Sequence, residues 1–488
     1  MRKQSLFTVC ALTAAVLLSA CASSENQPSD VQQTAPVSAE ESGTEAVSEP
    51  TLFDALPVRD YNGAAFRFLL PAEHSYEFSE TDTGDIVDAA AYLRDSEIES
   101  RYNIQFEYIT EPGNWAGKDT FNALITNSVL ADDQAYDLVD GMIAVSLPLA
   151  AQGVFRDIME LDGINLDDPW WTADIHNTLG IAGKLFGITG SSLMSVYKSA
   201  YVMFANTTLM NQYDCGDLLG LVIDGKWTYD AMCEILRDKT QDLDSNGKFD
   251  SSDFYGYIGW DVPQRAFQTA FELPVLSHEN GKLTFIGLTE RFDNAVETCR
   301  TVFADKNQCL ISAMNTEDTF LDRMFMSNQT ILYAATIDRI EVFRDMDSDF
   351  VMVPYPKYDE AQEKYHTQIA TGSGMLFIPK TVKDIGMTVD IMNAHGCLSC
   401  LDVIPTYYES ALKVKYTRDE RNMQVIDIIN ASMSNTVEFA FGSSLNSINT
   451  LFFELSTGSG AAASKFASLE KSLQKLLDKL YDNYAAVE

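Results

Sequence analysis

The chain has 488 residues, a formal net charge of −37, and 46% hydrophobic and 11% aromatic residues. So acidic a chain lacks the basic surface that nucleic acids or anionic lipids require, and we expect no nucleic-acid partner. Its length exceeds what a single hydrophobic core supports, which predicts two globular lobes.

The first 20 residues have the layout of a secretory signal peptide. Arg2 and Lys3 precede a short apolar run, 6–18, which is too short for a permanent membrane span. Leu18-Ser19-Ala20-Cys21 resembles a bacterial lipobox, in which cleavage leaves Cys21 as the first residue and lipid is attached to it. We expect Cys21 to carry palmitate and to anchor the protein at the extracytoplasmic face of the cell membrane. The alternative is an ordinary cleaved leader with a chance cysteine.

Residues 21–50 are predicted to be a flexible tether. Positions 22–50 are rich in Ser, Glu, Gln, Thr, Ala and Pro and contain no aromatic residue. Such a segment cannot bury enough apolar surface to offset the entropy cost of ordering it.

The folded part opens with alternating strand and helix patterns. This alternation predicts a parallel α/β sheet, and ligands of such sheets bind beyond the carboxyl ends of the strands. The loops 71–76, 110–117 and 140–146 are therefore candidate walls of a site. The predicted elements are strand 65–70, helix 85–102, strand 104–109, helix 121–130 and strand 136–139.

Later segments continue the mixed pattern and end in helices. Thr228 is a plausible cap for a helix that runs to about residue 239. Strands are predicted at 201–206, 254–258, 349–356 and 374–379, and helices from 389 onward, the last at 463–484.

A twelve-residue segment, 242–253, matches the calcium-binding loop of helix–loop–helix proteins at six positions, with Asp in place of Glu at the last. Gly247 permits the sharp turn that the loop needs. The shorter Asp253 leaves bidentate closure open, and the alternative is an Asx-rich surface turn that binds no ion. The predicted Ca²⁺ ligands are Asp242, Asp244, Asn246, the Lys248 carbonyl, Asp250 and Asp253.

Six cysteines follow the tether, and their pairing cannot be read from the sequence. Cys397-Leu398-Ser399-Cys400 has redox spacing, but no thioredoxin-like pattern precedes it. We favour an inert role for these two thiols.

A series of short segments, in this order and spacing, resembles the extracellular solute-binding proteins of ABC importers, family 1, related to maltose-binding protein. Asn206-Thr207 departs from the Asn-Lys pair that the family often shows. The segments are Tyr136-Asp137-Leu138-Val139, 149–155, Pro169-Trp170-Trp171, 183–187, Phe204-Ala205-Asn206, 354–360, Ile378-Pro379-Lys380, 405–409, 412–416 and Arg418-Asp419.

The resemblance implies an α/β fold of two periplasmic-binding-protein-like lobes (type II), hinged around a cleft. Lobe 1 would comprise 51–197 plus 350–390, and lobe 2 would comprise 198–349 plus 391–488. The crossing strands would lie near 197–205 and 338–350.

The resemblance also implies a function. The protein would be a monomeric, non-enzymatic receptor that captures a carbohydrate, an oligosaccharide in our interpretation, and delivers it to an ABC permease. Two alternatives are an exported glycoside hydrolase and a surface carbohydrate-binding adhesin. A hydrolase would need two carboxylates at fixed separation across the cleft, and no motif marks such a pair.

Aromatic residues near predicted strand ends are candidates for the ligand site, because sugar C–H faces stack on aromatic rings while hydroxyls pair with polar groups. The alternative for each is ordinary packing, which we prefer for Trp227. The predicted ligand-binding residues are Trp115, Trp171, Trp260, Asp261 and Tyr355.

Overall fold

The computed structural model describes residues 51–487, except for 80, 82, 174, 315–318 and 414–419. The signal peptide, Cys21, the tether and the Arg418-Asp419 pair lie outside these residues. No helix in the described part of the chain combines the length and the apolarity that crossing a membrane requires.

The strands and helices alternate along most of the chain. The strands are β1 (Ala64–Pro71), β2 (Ile104–Glu111), β3 (Leu138–Met142), β4 (Tyr201–Asn206), β5 (Tyr255–Trp260), β6 (Leu276–Glu279), β7 (Lys282–Phe285), β8 (Cys309–Ser312), β9 (Thr330–Thr336), β10 (Phe350–Val353), β11 (Thr367–Gln368), β12 (Gly374–Phe377) and β13 (Met433–Ser434).

The helices are α1 (Ile86–Tyr102), α2 (Lys118–Ala131), α3 (Ile143–Ser146), α4 (Ile175–Leu179), α5 (Met194–Lys198), α6 (Thr207–Gln212), α7 (Leu218–Ile223), α8 (Tyr229–Leu236), α9 (Asp261–Gln264), α10 (Phe267–Ala270), α11 (Glu290–Phe303), α12 (Phe320–Met326), α13 (Arg339–Phe343), α14 (Ile385–Leu398), α15 (Ile404–Lys413), α16 (Arg421–Ala431), α17 (Val437–Ala440), α18 (Leu451–Thr457) and α19 (Ala462–Ala485).

The first sheet has the order β12-β3-β1-β2. β1 pairs in parallel with β2 and β3, and β12 pairs antiparallel with β3. The predicted strand–helix–strand pattern is therefore confirmed. Local chemistry defines the helix between β1 and β2: the Asp85 side chain accepts hydrogen bonds from the first turn of α1, and Asn103 ends it in the left-handed conformation.

The second sheet has the order β10-β4-β9-β5-β8. β5 runs parallel to β9 and β8, while β4 pairs antiparallel with β9 and β10. Every residue of β4 and β5 is buried, as expected for strands covered on both faces. Thr228 caps α8 as predicted, and Trp227 is fully buried with its indole N–H donated to the Pro354 carbonyl at 2.9 Å.

Three passages of the chain lie side by side. Ala200 bridges to Ile369, and β11 pairs in parallel with β13. The first passage runs through Ala200 from the first sheet into β4. The second runs from β10 through β11 and Ile369 to β12, and the third is β13.

Segment 338–350 does not cross between the sheets, contrary to what the resemblance implied. It forms α13 and joins β9 to β10, which both belong to the second sheet. A short connection suffices there because both strands flank β4. The lobe boundaries stay a prediction. β10, which begins at residue 350, lies in the second sheet, whereas α14 and α15 pack against α1, the helix between β1 and β2 of the first sheet.

The six cysteines of the described part are unpaired thiols. Burial raises the pKa of Cys397 to about 12 and also raises the pKa of Cys400. Neither thiol is therefore activated as a nucleophile, which agrees with an inert role.

Candidate functional site

The carboxyl ends of parallel strands from both sheets define where a ligand site is expected. In the first sheet β1 ends at Pro71, and the 3₁₀ turn Ala72–Glu77 follows it. In the second sheet β9 ends at Thr336, and α13 follows it. Side chains from both of these segments line one cavity, which we call the crevice cavity.

The crevice cavity has a volume of about 330 Å³, which falls within the range of small-molecule sites. It is assembled from α1, α5, α13, α15 and the turn after β1. Its lining residues are Tyr76, Asp85, Val87, Asp88, Met194, Lys198, Ile340, Glu341, Arg344 and Tyr407.

Lys198 lies at the centre of this arrangement, at the end of α5 and directly before the first passage. Its ammonium lies 4.7 Å from the ring centroid of Tyr76 and 5.3 Å from that of Tyr407. It also donates a hydrogen bond to Glu341 Oε1 at 2.5 Å. Cation–π contacts and an ion pair therefore join residues that are far apart in the sequence.

The polar groups of the crevice cavity have defined hydrogen-bonding roles. Burial, together with the charges of Glu77 and Asp140, raises the pKa of Tyr76, so its phenol remains a hydrogen-bond donor at neutral pH. Asp85 Oδ1 accepts from the backbone of the first turn of α1, and Asp88 Oδ2 accepts from the Thr83 hydroxyl at 2.6 Å. The cavity thus offers aromatic faces beside carboxylates.

Trp260 and Asp261 lie together at the end of β5, but they do not line the crevice cavity. The Trp260 indole N–H donates to the Tyr333 hydroxyl at 2.9 Å, and its ring meets Phe320 edge-on. Only 6% of Trp260 is exposed, so most of its ring is covered. Asp261 accepts from the Met314 backbone N–H at 2.8 Å.

The other predicted ligand residues lie elsewhere. Trp115 is 52% exposed in the loop after β2, with the Lys118 ammonium 5.9 Å from its ring. Trp171 is buried beside Trp170. Tyr355 is buried, and its hydroxyl donates to the Pro263 carbonyl at 2.8 Å. Their role as ligand contacts stays a prediction.

Sequence reasoning did not single out Lys198, Glu341 or Tyr407. They come from three distant segments, and no local pattern marks them. Tyr76 is different, because it lies in loop 71–76, which the strand pattern had marked as a site wall.

A second cavity, which we call the side cavity, has a volume of about 380 Å³ and lies among α4, α10, β13 and α17. His366 Nε2 and Glu272 Oε1 are 2.8 Å apart at its edge. The buried Glu438 carboxylate accepts from the backbone of β6 and the residue before it, and burial raises its pKa.

The predicted calcium loop is folded around its carboxylates. Oxygen atoms of Asp242, Asp244 and Asp253 all lie within 4.8 Å of one another. Gly247 has the left-handed φ of 77° that the loop requires and donates its N–H to Asp242 Oδ2 at 2.8 Å. This last hydrogen bond is the main cause that lowers the pKa of Asp242.

The closing residue Asp253 is fully buried, and its two oxygens accept from the backbone N–H groups of Leu243 and Asp250, each at 2.9 Å. The ring of Phe249 lies 6.3 Å from that of the buried Tyr255, a contact that anchors the loop to the core. β5 follows the loop as a strand, as predicted. The donor set and the turn fit a hard cation that prefers oxygen ligands.

Solved structures with the same architecture include several sugar-binding proteins. An ABC substrate-binding protein of Listeria monocytogenes in complex with cycloalternan has a TM-score of 0.53 and 12% identity, over 85% of this chain and 99% of its own. The galacto-N-biose-/lacto-N-biose I-binding protein of an ABC transporter of Bifidobacterium longum has a TM-score of 0.53 and 11% identity, over 88% of this chain and 99% of its own.

A cyclo/maltodextrin-binding protein complexed with maltotetraose is similar to the same extent, with a TM-score of 0.52 and 13% identity over 88% of this chain and 100% of its own. The chain has the two-lobed fold of ABC sugar-binding proteins. The predicted fold class and the resemblance to maltose-binding-protein-like receptors are thereby confirmed at the level of the fold. No protein-family model matches the chain, and no curated protein sequence matches it.

Proposed function

We propose that this protein is a carbohydrate receptor of an ABC import system, which binds an oligosaccharide in the crevice cavity and is not an enzyme. The observation that carries the proposal is that Tyr76, from beyond β1, and Lys198, at the end of α5, meet Glu341 of α13, which follows β9 of the second sheet. Solved structures with this fold hold sugars.

The chemistry of the crevice cavity suits a neutral polyhydroxylated ligand. The half-buried ring of Tyr76 provides a surface for sugar C–H groups, and the carboxylates accept hydrogen bonds from hydroxyls. Lys198 is paired with Glu341, and Arg344 offsets only one of the two further carboxylates, Asp85 and Asp88, so the lining keeps a net negative charge. An anionic ligand is therefore disfavoured relative to a neutral sugar.

The two-sheet architecture suggests how binding is transmitted. In two-lobed folds, ligands are commonly enclosed by hinge closure between the lobes. The three side-by-side passages near Ala200, Ile369 and β13 are the segments about which such a motion would occur. Closure would present a changed surface to a permease.

A thermal-shift screen of residues 51–488 against mono- and oligosaccharides, polyols and peptides tests the proposal. We expect a saturable rise in Tm with one class of saccharide, because a ligand at a hundred times its Kd stabilises the folded state by about 2.7 kcal/mol. Chromogenic glycosides should not be turned over. Hydrolysis would favour the glycosidase alternative, and a flat response to every saccharide would contradict the receptor.

We further propose that the receptor acts as a monomer tethered at the extracytoplasmic membrane face by lipid, palmitate included, on Cys21. Residues 21–50 would then give the folded part reach toward its permease. The lipobox-like Leu18-Ser19-Ala20-Cys21 sequence supports this anchoring.

We also propose that the 242–253 loop binds one structural Ca²⁺. The support is the convergence of the three carboxylates, with the Asn246 side chain, the Lys248 carbonyl and Asp250 completing the predicted ligand set. The like charges of Asp242, Asp244 and Asp253 repel one another unless a cation lies between them.

Calcium removal is expected to lower Tm by a few degrees, because bound Ca²⁺ at a hundred times its Kd contributes about 2.7 kcal/mol to stability. Differential scanning calorimetry with EDTA and with excess Ca²⁺ measures this. Asp244→Asn should abolish the response, whereas Asp224→Asn, at a 63% exposed carboxylate outside the loop, should keep it. Equal Tm values with and without Ca²⁺ in the unmodified protein would refute the site.

A further inference from the structure

A buried charged cluster adjoins the crevice cavity, since the ring of His74 lies 5.8 Å from that of the lining residue Tyr76. His74 and Glu77 belong to the 3₁₀ turn after β1, and Asp140 belongs to β3. Their exposures are only 8%, 2% and 0%. His74 Nδ1 lies 2.6 Å from Asp140 Oδ2, so these two side chains form an ion pair when the imidazole is protonated.

Glu77 uses its whole carboxylate to hold α5. Oε1 accepts from the Ser195 backbone N–H at 2.7 Å, and Oε2 accepts from the Met194 N–H. α5 ends at Lys198 and leads into the first passage. A single carboxylate therefore joins the crevice wall that carries Tyr76 to the short helix that carries Lys198.

Other charged groups surround this carboxylate on each side. The Arg94 guanidinium of α1 donates to the Glu77 backbone carbonyl at 2.8 Å, and Glu73 acts on His74 from the same turn. Burial, and then the Asp140 charge, raises the pKa of Glu77 to about 7, against the lowering effects of His74 and the two backbone hydrogen bonds. Glu77 therefore changes its protonation state in the neutral range.

We propose that Glu77 is a positioning residue that couples the wall after β1 to Lys198, and that its protonation weakens ligand binding. A charged carboxylate accepts both N–H groups strongly, whereas the protonated form carries a hydrogen on one oxygen, which is then a weaker acceptor, so one of the two buried N–H groups loses hydrogen-bond strength. That loss loosens α5 and displaces Lys198 from Tyr76 and Glu341. The proposal rests on the crevice cavity being the carbohydrate site.

The amides of Met194 and Ser195 provide a test that needs no ligand. In the unmodified chain, hydrogen exchange at these amides, corrected for intrinsic rates, should show falling protection as pH drops from 8 to about 6. Glu77→Gln should show low protection with no such pH dependence. Asp119→Asn, at an 89% exposed carboxylate, should reproduce the unmodified profile.

The second test of the proposal measures the affinity for the saccharide found in the thermal-shift screen. With a midpoint near pH 7, about a tenth of Glu77 is ionised at pH 6, so Kd should rise about tenfold between pH 8 and pH 6. Amide protection and Kd that both stay constant over this range would overturn the coupling. If no saccharide binds at any pH while protection still falls, the proposed carbohydrate receptor fails and the Glu77 contact stands.

Discussion

Replacement of Asp140 by alanine is expected to lower the free energy of unfolding by about 3 kcal/mol. The carboxylate is fully buried and faces His74 at 2.6 Å, and removing one partner of a buried ion pair leaves an uncompensated charge, typically at a cost of 3–5 kcal/mol. The lower end applies because Asp140 also repels Glu77. Denaturant unfolding at pH 7 with Ca²⁺ present, followed by circular dichroism, measures the loss.

The pH dependence of the stability loss shows whether the loss comes from the broken ion pair or only from the space left by the removed side chain. Burial alone would lower the pKa of His74, but the Asp140 carboxylate raises it to about 9, above the ordinary 6.5. A raised folded-state pKa contributes stability that is complete below pH 6.5 and is lost as pH rises through 9. The gap between the unmodified protein and Asp140→Ala should therefore be largest below about pH 6.5, shrink as pH rises from there, and level off above about pH 9.

A matched control is the exposed pair between Glu297 and Arg300, with 62% of the Glu297 side chain accessible. Glu297→Ala should cost less than about 1 kcal/mol. Equal losses for Glu297→Ala and Asp140→Ala would show that the buried pair carries no special stability.

Replacement of Tyr76 by alanine is expected to weaken saccharide binding by about 2 kcal/mol, roughly 30-fold in Kd. The substitution removes both a proposed stacking face and the ring that lies 4.7 Å from the Lys198 ammonium. Isothermal titration calorimetry with the saccharide identified in the screen gives the change in Kd.

Two further variants serve as controls for the Tyr76→Ala result. Tyr76→Phe keeps the ring and should lose only the contribution of the hydroxyl. Tyr92, a 36% exposed tyrosine on α1, lies outside the crevice cavity, and Tyr92→Ala should leave Kd unchanged. An unaltered Kd in a folded Tyr76→Ala variant would place the sugar elsewhere.

Local patterns predicted most of the first sheet, because the information that forms each element is contained within it. Apolar runs marked β1 and β2, and a polar cap marked α8 at Thr228. The turn and the converging carboxylates of segment 242–253 were predictable for the same reason, since twelve consecutive residues supply both. The expected crossing at 338–350 failed because strand order in a sheet depends on distant partners.

The proposed site was less accessible to sequence reasoning, because burial of an aromatic ring is decided by tertiary packing. Trp260 and Tyr355 were attractive candidates at strand ends, yet their polar atoms are satisfied internally by Tyr333 and Pro263. The residues that line the crevice cavity come from separate segments of the chain and become neighbours only in the folded protein. Lys198 is an example, because its contacts Tyr76 and Glu341 each lie more than a hundred residues away from it in the chain.

A crystal structure of residues 51–488 with the saccharide that produces the largest thermal shift tests the central claim most directly. The account predicts density for the sugar in the crevice cavity, in contact with Tyr76 and close to Lys198 and Glu341, with the two lobes enclosing it. Sugar bound instead in the side cavity beside His366 and Glu272, or on the outer surface at Trp115, would contradict it.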